Sequence, residues 1–386
     1  MDFSLTEEQL EMQDMVRRFA REQLAPKAAE IDVTCRFPRE SFDEMGRLGL
    51  LGLLVPEQYG GVGASVTTFC VVMEEIAYAC ASTALSYLAH SVLCAYNLSH
   101  NGDDVQKKKY LPDLCSGKKI GCLCITEPGA GSDALGMQTY GVQQGDHWVI
   151  NGSKTFITNA PVADVFLVYV RTDKNDRARG ISQFIIERDF PGLSTGQPFH
   201  KMGNRASPTS EVFFNNCIVP NENLVKGPNE ALGILMGNLD VERTVGGSMG
   251  VGGAQVALDR AMRYAREREQ FGQPIIMFEM ILEKIANMAT EIDAARLLTL
   301  RAAALADQGI RCSAESSMAK LYSSEMCDRV TREAVQILGG YGYMQEYEVE
   351  RMMRDAKLGT LGAGTSEIQR LIIARDIVKR AMMSGN

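Results

Sequence analysis

Apolar residues recur at helical spacing through the first 120 residues of the chain. Thr6-Glu7-Glu8-Gln9 has the form of a capping box, and Leu5 and Leu10 stand where a hydrophobic staple would close it. Met12, Met15, Val16 and Phe19 continue one face of that helix, and Pro26 predicts its bend or its end. Pro56 and Gly60-Gly61-Val62-Gly63 mark a loop. The pattern then predicts two mostly buried helices over 66–80 and 82–100, and another over 104–116 that stops at Gly117.

The pattern changes near residue 121. From there to 226 the chain runs in short stretches of Thr, Val, Ile and Phe broken by Gly, Pro and Asn. HWVI (147–150), DVFLVYVR (164–171), ISQFIIE (181–187) and EVFFNNCIV (211–219) predict strands of a compact β domain. Helical periodicity returns from Pro228, over 229–268, 277–308, 313–338 and 365–382, which predicts a bundle. The chain therefore reads as an α+β protein in three segments, 1–120, 121–226 and 227–386.

Composition narrows the class. At roughly 150 residues per domain, 386 residues allow two or three domains, and 45% hydrophobic residues can supply their cores. Forty-eight acidic residues outnumber forty basic ones, which argues against a nucleic-acid-binding protein. The ten cysteines contain no C-x-x-C, and the C-x-C of Cys122 and Cys124 is too close for ordinary zinc pairing. Most lie in apolar runs and read as buried free thiols of a reducing compartment. Four histidines without H-E-x-x-H give no metal motif. MDFSLTEEQL has neither an apolar h-region nor Arg-rich transit character, and no apolar run approaches the roughly 18 residues of a membrane span. The bacterial cytoplasm is the expected location, or the mitochondrial matrix for a mature eukaryotic chain.

No G-x-G-x-x-G follows a strand and no G-x-x-x-x-G-K occurs, which disfavours dinucleotide-binding and P-loop folds. Glycine clusters elsewhere. In CITEPGAGSD (124–133) two glycines let backbone N–H groups converge on an anion, or simply make a surface turn. In QILGGYGY (336–343) a long helix ends in glycines, a normal stop. In GAGTSE (362–367) Thr365 or Ser366 can cap the last helix, whose N-terminus can also hold a phosphate or polarise a carbonyl.

Together these segments resemble the acyl-CoA dehydrogenase family, over essentially the whole chain. CITEPGAGSDALG (124–136) and QILGGYGYMQEYEVERMMRD (336–355) are similar to its two signatures. KTFITN (154–159), REREQFGQPI (266–275) and GAGTSEIQR (362–370) fall in the family's order. The resemblance implies an N-terminal helical domain, a middle antiparallel β-barrel-like domain and a C-terminal four-helix bundle, assembled as a homotetramer. It implies FAD as cofactor, an acyl-CoA thioester oxidised to the 2-enoyl-CoA, and electron-transfer flavoprotein as redox partner. It places Leu123, Ile125, Thr126 and Ser132 around the flavin, Thr158 beside N5, and Phe156 where many members carry Trp. It sends Arg268 and the Gln336–Gly340 segment, with Gln336, Gly339 and Gly340, to the FAD of a neighbouring subunit, and adds Phe271, Thr365 and Glu367 to the cofactor set.

Removing an α-proton beside a thioester needs a base in a dry site and hydrogen bonds to the developing enolate oxygen. Many members carry Glu before the Gly-Thr of the third cluster; here that residue is Ala363, which keeps its N–H for the thioester carbonyl but cannot take a proton. In the isovaleryl-CoA and long-chain branches the base lies on another helix. The matching residue is Glu242, in LDVER (239–243), with Asp240 and Glu367 as weaker candidates. Asp240 and Arg243 are expected on the CoA moiety, and Ser132, Gly362, Ala363 and Gly364 beside the substrate. Gly362, in place of a bulky Tyr, and Ala363 leave room for a branched or bulky acyl group. LSYLAHSVLCAYN (85–97) is similar to isovaleryl-CoA dehydrogenases, although Leu88 is larger than their glycine. Ser86 stands where glutaryl-CoA members carry Arg, and His90 reads as a packed helix histidine. An enoyl-CoA reductase, an acyl-CoA oxidase and a non-catalytic acyl-CoA-binding protein stay open.

Overall fold

The computed structural model describes residues 4–384. The capping box forms: Gln9 N–H donates to Thr6 Oγ1 at 3.2 Å, and Thr6 N–H to Gln9 Oε1 at 3.1 Å. It opens the Glu7–Phe19 helix, while Leu10 stays exposed and adds little as a staple. Around Pro26 the helix first widens and then tightens before Ala28–Thr34 resumes it. The two expected buried helices are Val66–Ala79 and a run from Ala81 to Asn101 that widens over Leu88–Tyr96. The Asp104–Cys115 helix follows.

Eight strands form the middle sheet: β1 (Gly121–Cys124), β2 (Tyr140–Gln144), β3 (His147–Thr158), β4 (Val165–Arg171), β5 (Ile181–Glu187), β6 (Leu193–Thr195), β7 (Thr209–Pro220) and β8 (Leu224–Val225). Their order is β6-β7-β3-β2-β4-β5-β8, with β1 beside β4. The sheet departs from the expected antiparallel, barrel-like one in two respects. It does not close on itself, and β4 has two parallel neighbours, β1 from Gly121↔Val165 to Cys124↔Val168 and β2 at Tyr140↔Arg171. The β2–β3 hairpin intervenes between β1 and β4, so the chain returns before it pairs. β4 is buried on both faces, which is why its sequence does not alternate. Val165, Leu167 and Tyr169 share a core with Cys94, Leu98 and Leu235, whereas Phe166, Val168 and Val170 pack with Trp148, Ile150 and Phe214.

The C-terminal bundle consists of Ala231–Glu267, Glu279–Asp307, Ser313–Leu338 and Ser366–Ser384. Glycine inside a helix costs about 1 kcal/mol relative to alanine, yet the first of these helices carries several. Gly252 gives the reason: a Cβ there would stand 2.2 Å from Glu74 O, so the Val66–Ala79 helix crosses at backbone contact. Asp307 ties the same pair of domains by accepting Val66 N–H at 2.6 Å and Thr67 N–H at 3.1 Å. Three segments meet at the short Val349–Ala356 helix, where Arg354 pairs with Asp32 at 2.8 Å and Asn204 N–H donates to Asp355. That junction anchors the chain directly before the 357–364 loop.

Nine of the ten cysteines are buried and all are free; Cys35 is exposed. Among the described residues no helix is long and apolar enough to cross a membrane, and no His, Cys, Asp and Glu side chains gather as a metal site.

Candidate active site

Past β1 the chain turns through Ile125–Ser132, and a buried ion pair holds that turn in place. Lys154 lies on the inward phase of β3 with Trp148 and Ile150, and is wholly buried. Its Nζ donates to Glu127 Oε1 at 2.8 Å and to Ile125 O at 3.1 Å. Glu127 also accepts the N–H groups of Gln138 and Thr139. Burial pushes the Glu127 carboxyl up, but the Lys154 charge and these donors outweigh it and hold it below the usual value. Arg171 grips the far end of the loop, donating to Met137 O at 3.1 Å and Leu135 O at 2.6 Å. Sequence reasoning missed Lys154, Glu127 and Arg171 as site residues. The available signal was a lysine on the inward phase of a strand.

Leu123 is buried, Ile125 and Thr126 are half-buried, and Ser132 is exposed. Thr155 N–H donates to Thr126 O at 2.8 Å, which brings the loop against the end of β3. There the pairing with β7 shifts between Lys154 and Ile157. Phe156 sits in that bulge at φ +57°, 68% exposed, its ring 5.6 Å from that of Phe199. A bulge within a strand re-aims a side chain in this way. Thr158 follows, half-buried and opposite Thr209. A Cβ added at Gly129 or Gly131 would meet nothing within 4 Å, so packing within the chain does not demand glycine there. The surface combines an exposed aromatic ring, aliphatic side chains, two threonine hydroxyls and open backbone. That donor set fits a flat conjugated ring with a polar edge.

The second expected cofactor group lies on the C-terminal domain. Arg268 precedes a small hairpin of β9 (Glu269–Gln270) and β10 (Gln273–Pro274). Phe271 and Gly272 form its turn at φ +52° and +82°, and Phe271 is 95% exposed. The Arg268 guanidinium lies 5.9 Å from the Tyr341 ring centre, which sets it beside the Gly339–Tyr343 turn. Gln336, Gly339 and Gly340 are exposed. Among the described residues no hydrogen bond, ion pair or ring contact joins this group to the Thr126–Thr158 surface.

The third group surrounds Glu242, in the Ala231–Glu267 helix. Glu242 is 8% exposed, and no hydrogen bond or ion pair to its carboxylate occurs among the described residues. Burial pushes it up to about 7, against the pull of the Arg243 and Lys320 charges. Asp240 is raised by burial as well, but its oxygens are engaged. Oδ2 accepts Ser313 Oγ–H at 2.6 Å and Oδ1 pairs with Arg243 at 3.3 Å. Among the described residues the buried Arg243 Nε has no hydrogen-bond partner. Glu367 is exposed, and hydrogen bonds from its own backbone N–H and the Thr365 hydroxyl hold it below the usual value. Of the three carboxylates, Glu242 alone is buried, raised and unengaged. Thr365 Oγ1 accepts Ile368 N–H at 3.4 Å, as an N-cap does. Gly362, Ala363 and Gly364 are half-buried just before it. A Cβ at Gly362 would make only ordinary contacts, 3.6 Å from Leu358 O, so the fold itself tolerates a side chain there.

His90 is structural, as read. Its Nδ1 accepts Gly121 N–H at 3.0 Å, so Nε2 carries the proton and donates to Leu114 O at 3.0 Å. Burial pushes its pKa down to about 4 and keeps it neutral. Ser86 is buried too, its hydroxyl on Ser207 at 2.8 Å and its carbonyl on Asn159 Nδ2 at 2.9 Å.

The fold is that of a flavin-dependent oxidoreductase. The acyl-CoA dehydrogenase N-terminal, middle and C-terminal domains match residues 6–118, 122–217 and 230–378, and the chain belongs to the acyl-CoA dehydrogenase family. It is an FAD enzyme of that family. Cyclohex-1-ene-1-carbonyl-CoA dehydrogenase from Syntrophus aciditrophicus is 47% identical, over 97% of this chain and 91% of that protein. Mitochondrial isovaleryl-CoA dehydrogenase from Arabidopsis thaliana is 41% identical, over 96% and 91%. The structure of butyryl-CoA dehydrogenase from Megasphaera elsdenii superposes with a TM-score of 0.96 at 38% identity, covering 98% of this chain and 100% of that one.

Proposed function

We propose that this enzyme oxidises a short, branched or bulky acyl-CoA to its 2-enoyl-CoA, with Glu242 as the base that removes the α-proton. The observation that carries the reading is the buried, unengaged Glu242 carboxylate with its pKa near neutrality, at about 7. Such a group is ionised often enough to act and basic enough to take a proton. The Ala363 N–H donates to the thioester oxygen, which gathers negative charge as the α-proton leaves. Bound FAD supplies the hydride acceptor. Leu123, Ile125, Thr126, Phe156 and Thr158 form the wall that orients the flavin, with Ser132, Thr365 and Glu367 at its margins. Arg268, Phe271, Gln336, Gly339 and Gly340 serve the cofactor of a neighbouring subunit. Their exposure supports that reading. Arg268 suits the pyrophosphate because its guanidinium bonds in a fork. Asp240 and Arg243 border the CoA moiety. The three domains are 1–120, 121–226 and 227–386, the assembly is a homotetramer, and electron-transfer flavoprotein is the acceptor.

The substrate follows from what is missing at 362 and 363. Among the described residues no packing requires Gly362, so its hydrogen leaves space beside the reacting carbons. Ser86 is neutral and its hydroxyl is bonded to Ser207, so this side chain offers a glutaryl carboxylate no positive charge. Isovaleryl- and other short branched or alicyclic acyl-CoAs are expected to be oxidised at least tenfold faster, by kcat/KM, than straight octanoyl-CoA; the reverse order would overturn the substrate class. One added methylene alone is worth about 10–200-fold in such a pocket.

A further inference from the structure

Ala363 occupies the left-handed region at φ +55°, and Gly364 follows at φ +85°. A non-glycine residue there is disfavoured and persists only where its surroundings over-determine it. Two buried side chains do so. Gln369 Nε2 donates to both Ala363 O and Gly364 O at 2.9 Å. Lys320 Nζ, from the Ser313–Leu338 helix, donates to Gly364 O at 2.7 Å. Lys320 is 4% exposed and Gln369 fully buried. On the other side of the turn, Gly362 N–H is taken by Leu358 O at 2.9 Å. Among the described residues the Ala363 N–H donates to no acceptor.

The charge of the same ammonium acts on Glu242, and burial pushes the pKa of Lys320 itself down to about 8, so it is positive at neutral pH. The charged groups that act on Glu242 are Arg243 from its own helix and Lys320 from the Ser313–Leu338 helix. Tyr169, from β4, also lies within range of its charge. Lys320 in turn feels Glu242, Arg243, Glu325 and Glu367. We propose that Lys320 is a positioning residue for the reaction: with Gln369 it locks the Ala363–Gly364 turn so that the Ala363 N–H meets the thioester oxygen, and it holds a positive charge beside the Glu242 carboxylate. The inference rests on Glu242 being the base. In the step it serves, the Cα–H bond breaks, the proton passes to the Glu242 carboxylate, and the electron pair spreads onto the thioester oxygen. Lys320 forms and breaks no covalent bond.

The test uses the holoenzyme and two unreactive ligands. One is an isovaleryl-sized acyl-CoA with sulfur in place of Cβ, which keeps the thioester and an acidic α-CH2 but has no β-hydrogen to give. The other is the matching thioether, which lacks the carbonyl. Lys320→Met is expected to bind the carbonyl ligand about tenfold more weakly, through loss of aim at the oxyanion, and the thioether as before. The pH midpoint of enolate formation, read by absorbance, should move upward, because a positive neighbour that favoured ionised Glu242 is gone. Gln369→Met frees both carbonyls but keeps the charge, so it should weaken carbonyl binding without moving the midpoint. Lys320→Arg should keep the midpoint. Wild-type affinity for the carbonyl ligand in both Gln369→Met and Lys320→Met, with the midpoint unmoved, overturns the proposal. Enolate formation that survives in Glu242→Gln instead refutes the base assignment. Should Lys320→Met not fold, Gln369→Met decides the turn and Lys320→Arg the charge.

Discussion

Glu242→Gln is expected to purify with FAD, bind acyl-CoA, and reduce its flavin roughly 10²- to 10⁴-fold more slowly than the parent. The substitution keeps the shape of the side chain and removes only its ability to take a proton. The buried surroundings that raise Glu242 to about 7 also predict a pH dependence. A base must be deprotonated to act, so the parent's kcat/KM should fall tenfold per unit below about pH 7 and level off above it. That limb should vanish in Glu242→Gln. Stopped-flow measurement of flavin absorbance checks both. A variant that reduces its flavin at the parent's rate would move the base elsewhere. Glu367 is a poor candidate, since it is exposed and its proton affinity is lowered.

Lys154→Met is expected to destabilise the protein by about 3–5 kcal/mol, the usual cost of stripping one partner from a buried ion pair. Glu127 would remain buried with only N–H donors against its charge. The Ile125–Ser132 loop would lose its tie to β3, so FAD should dissociate more readily as well. Lys154→Met with Glu127→Gln removes both charges and should recover much of the lost stability. Urea unfolding of the three proteins, followed by circular dichroism with and without added FAD, measures the difference. A Lys154→Met protein within about 1 kcal/mol of the parent would show that the pair is not what holds the loop.

Much of the architecture was legible because periodicity reports burial directly. The four C-terminal helices and the strands at 164–171 and 181–187 fall within a residue or two of their expected bounds. The parallel pairing of β1 was not legible, because a four-residue buried strand carries no alternation and its partner lies beyond an intervening hairpin. The short Val349–Ala356 helix was also missed. It is locked by Asp32 and Asn204, contacts that span more than 150 residues of chain. At the site, motif residues could be named but not their supports. Lys154, Lys320 and Gln369 act on main-chain carbonyls or a distant carboxylate, and local pattern does not reveal such partners. Asp240 shows the same limit: the sequence names the carboxylate, but not that Arg243 and Ser313 hold its oxygens.

The central claim is that one buried carboxylate and one bound flavin act together on a short branched acyl-CoA. Anaerobic titration of the purified holoenzyme with isovaleryl-, cyclohexanecarbonyl-, butyryl- and octanoyl-CoA tests it in a single series, followed by visible absorbance. The account predicts that the branched and alicyclic thioesters bleach the flavin most rapidly, near one equivalent per subunit. It also predicts that Glu242→Gln stays yellow with all four. A parent enzyme that remains oxidised with every acyl-CoA, or a Glu242→Gln protein that bleaches like the parent, would contradict it.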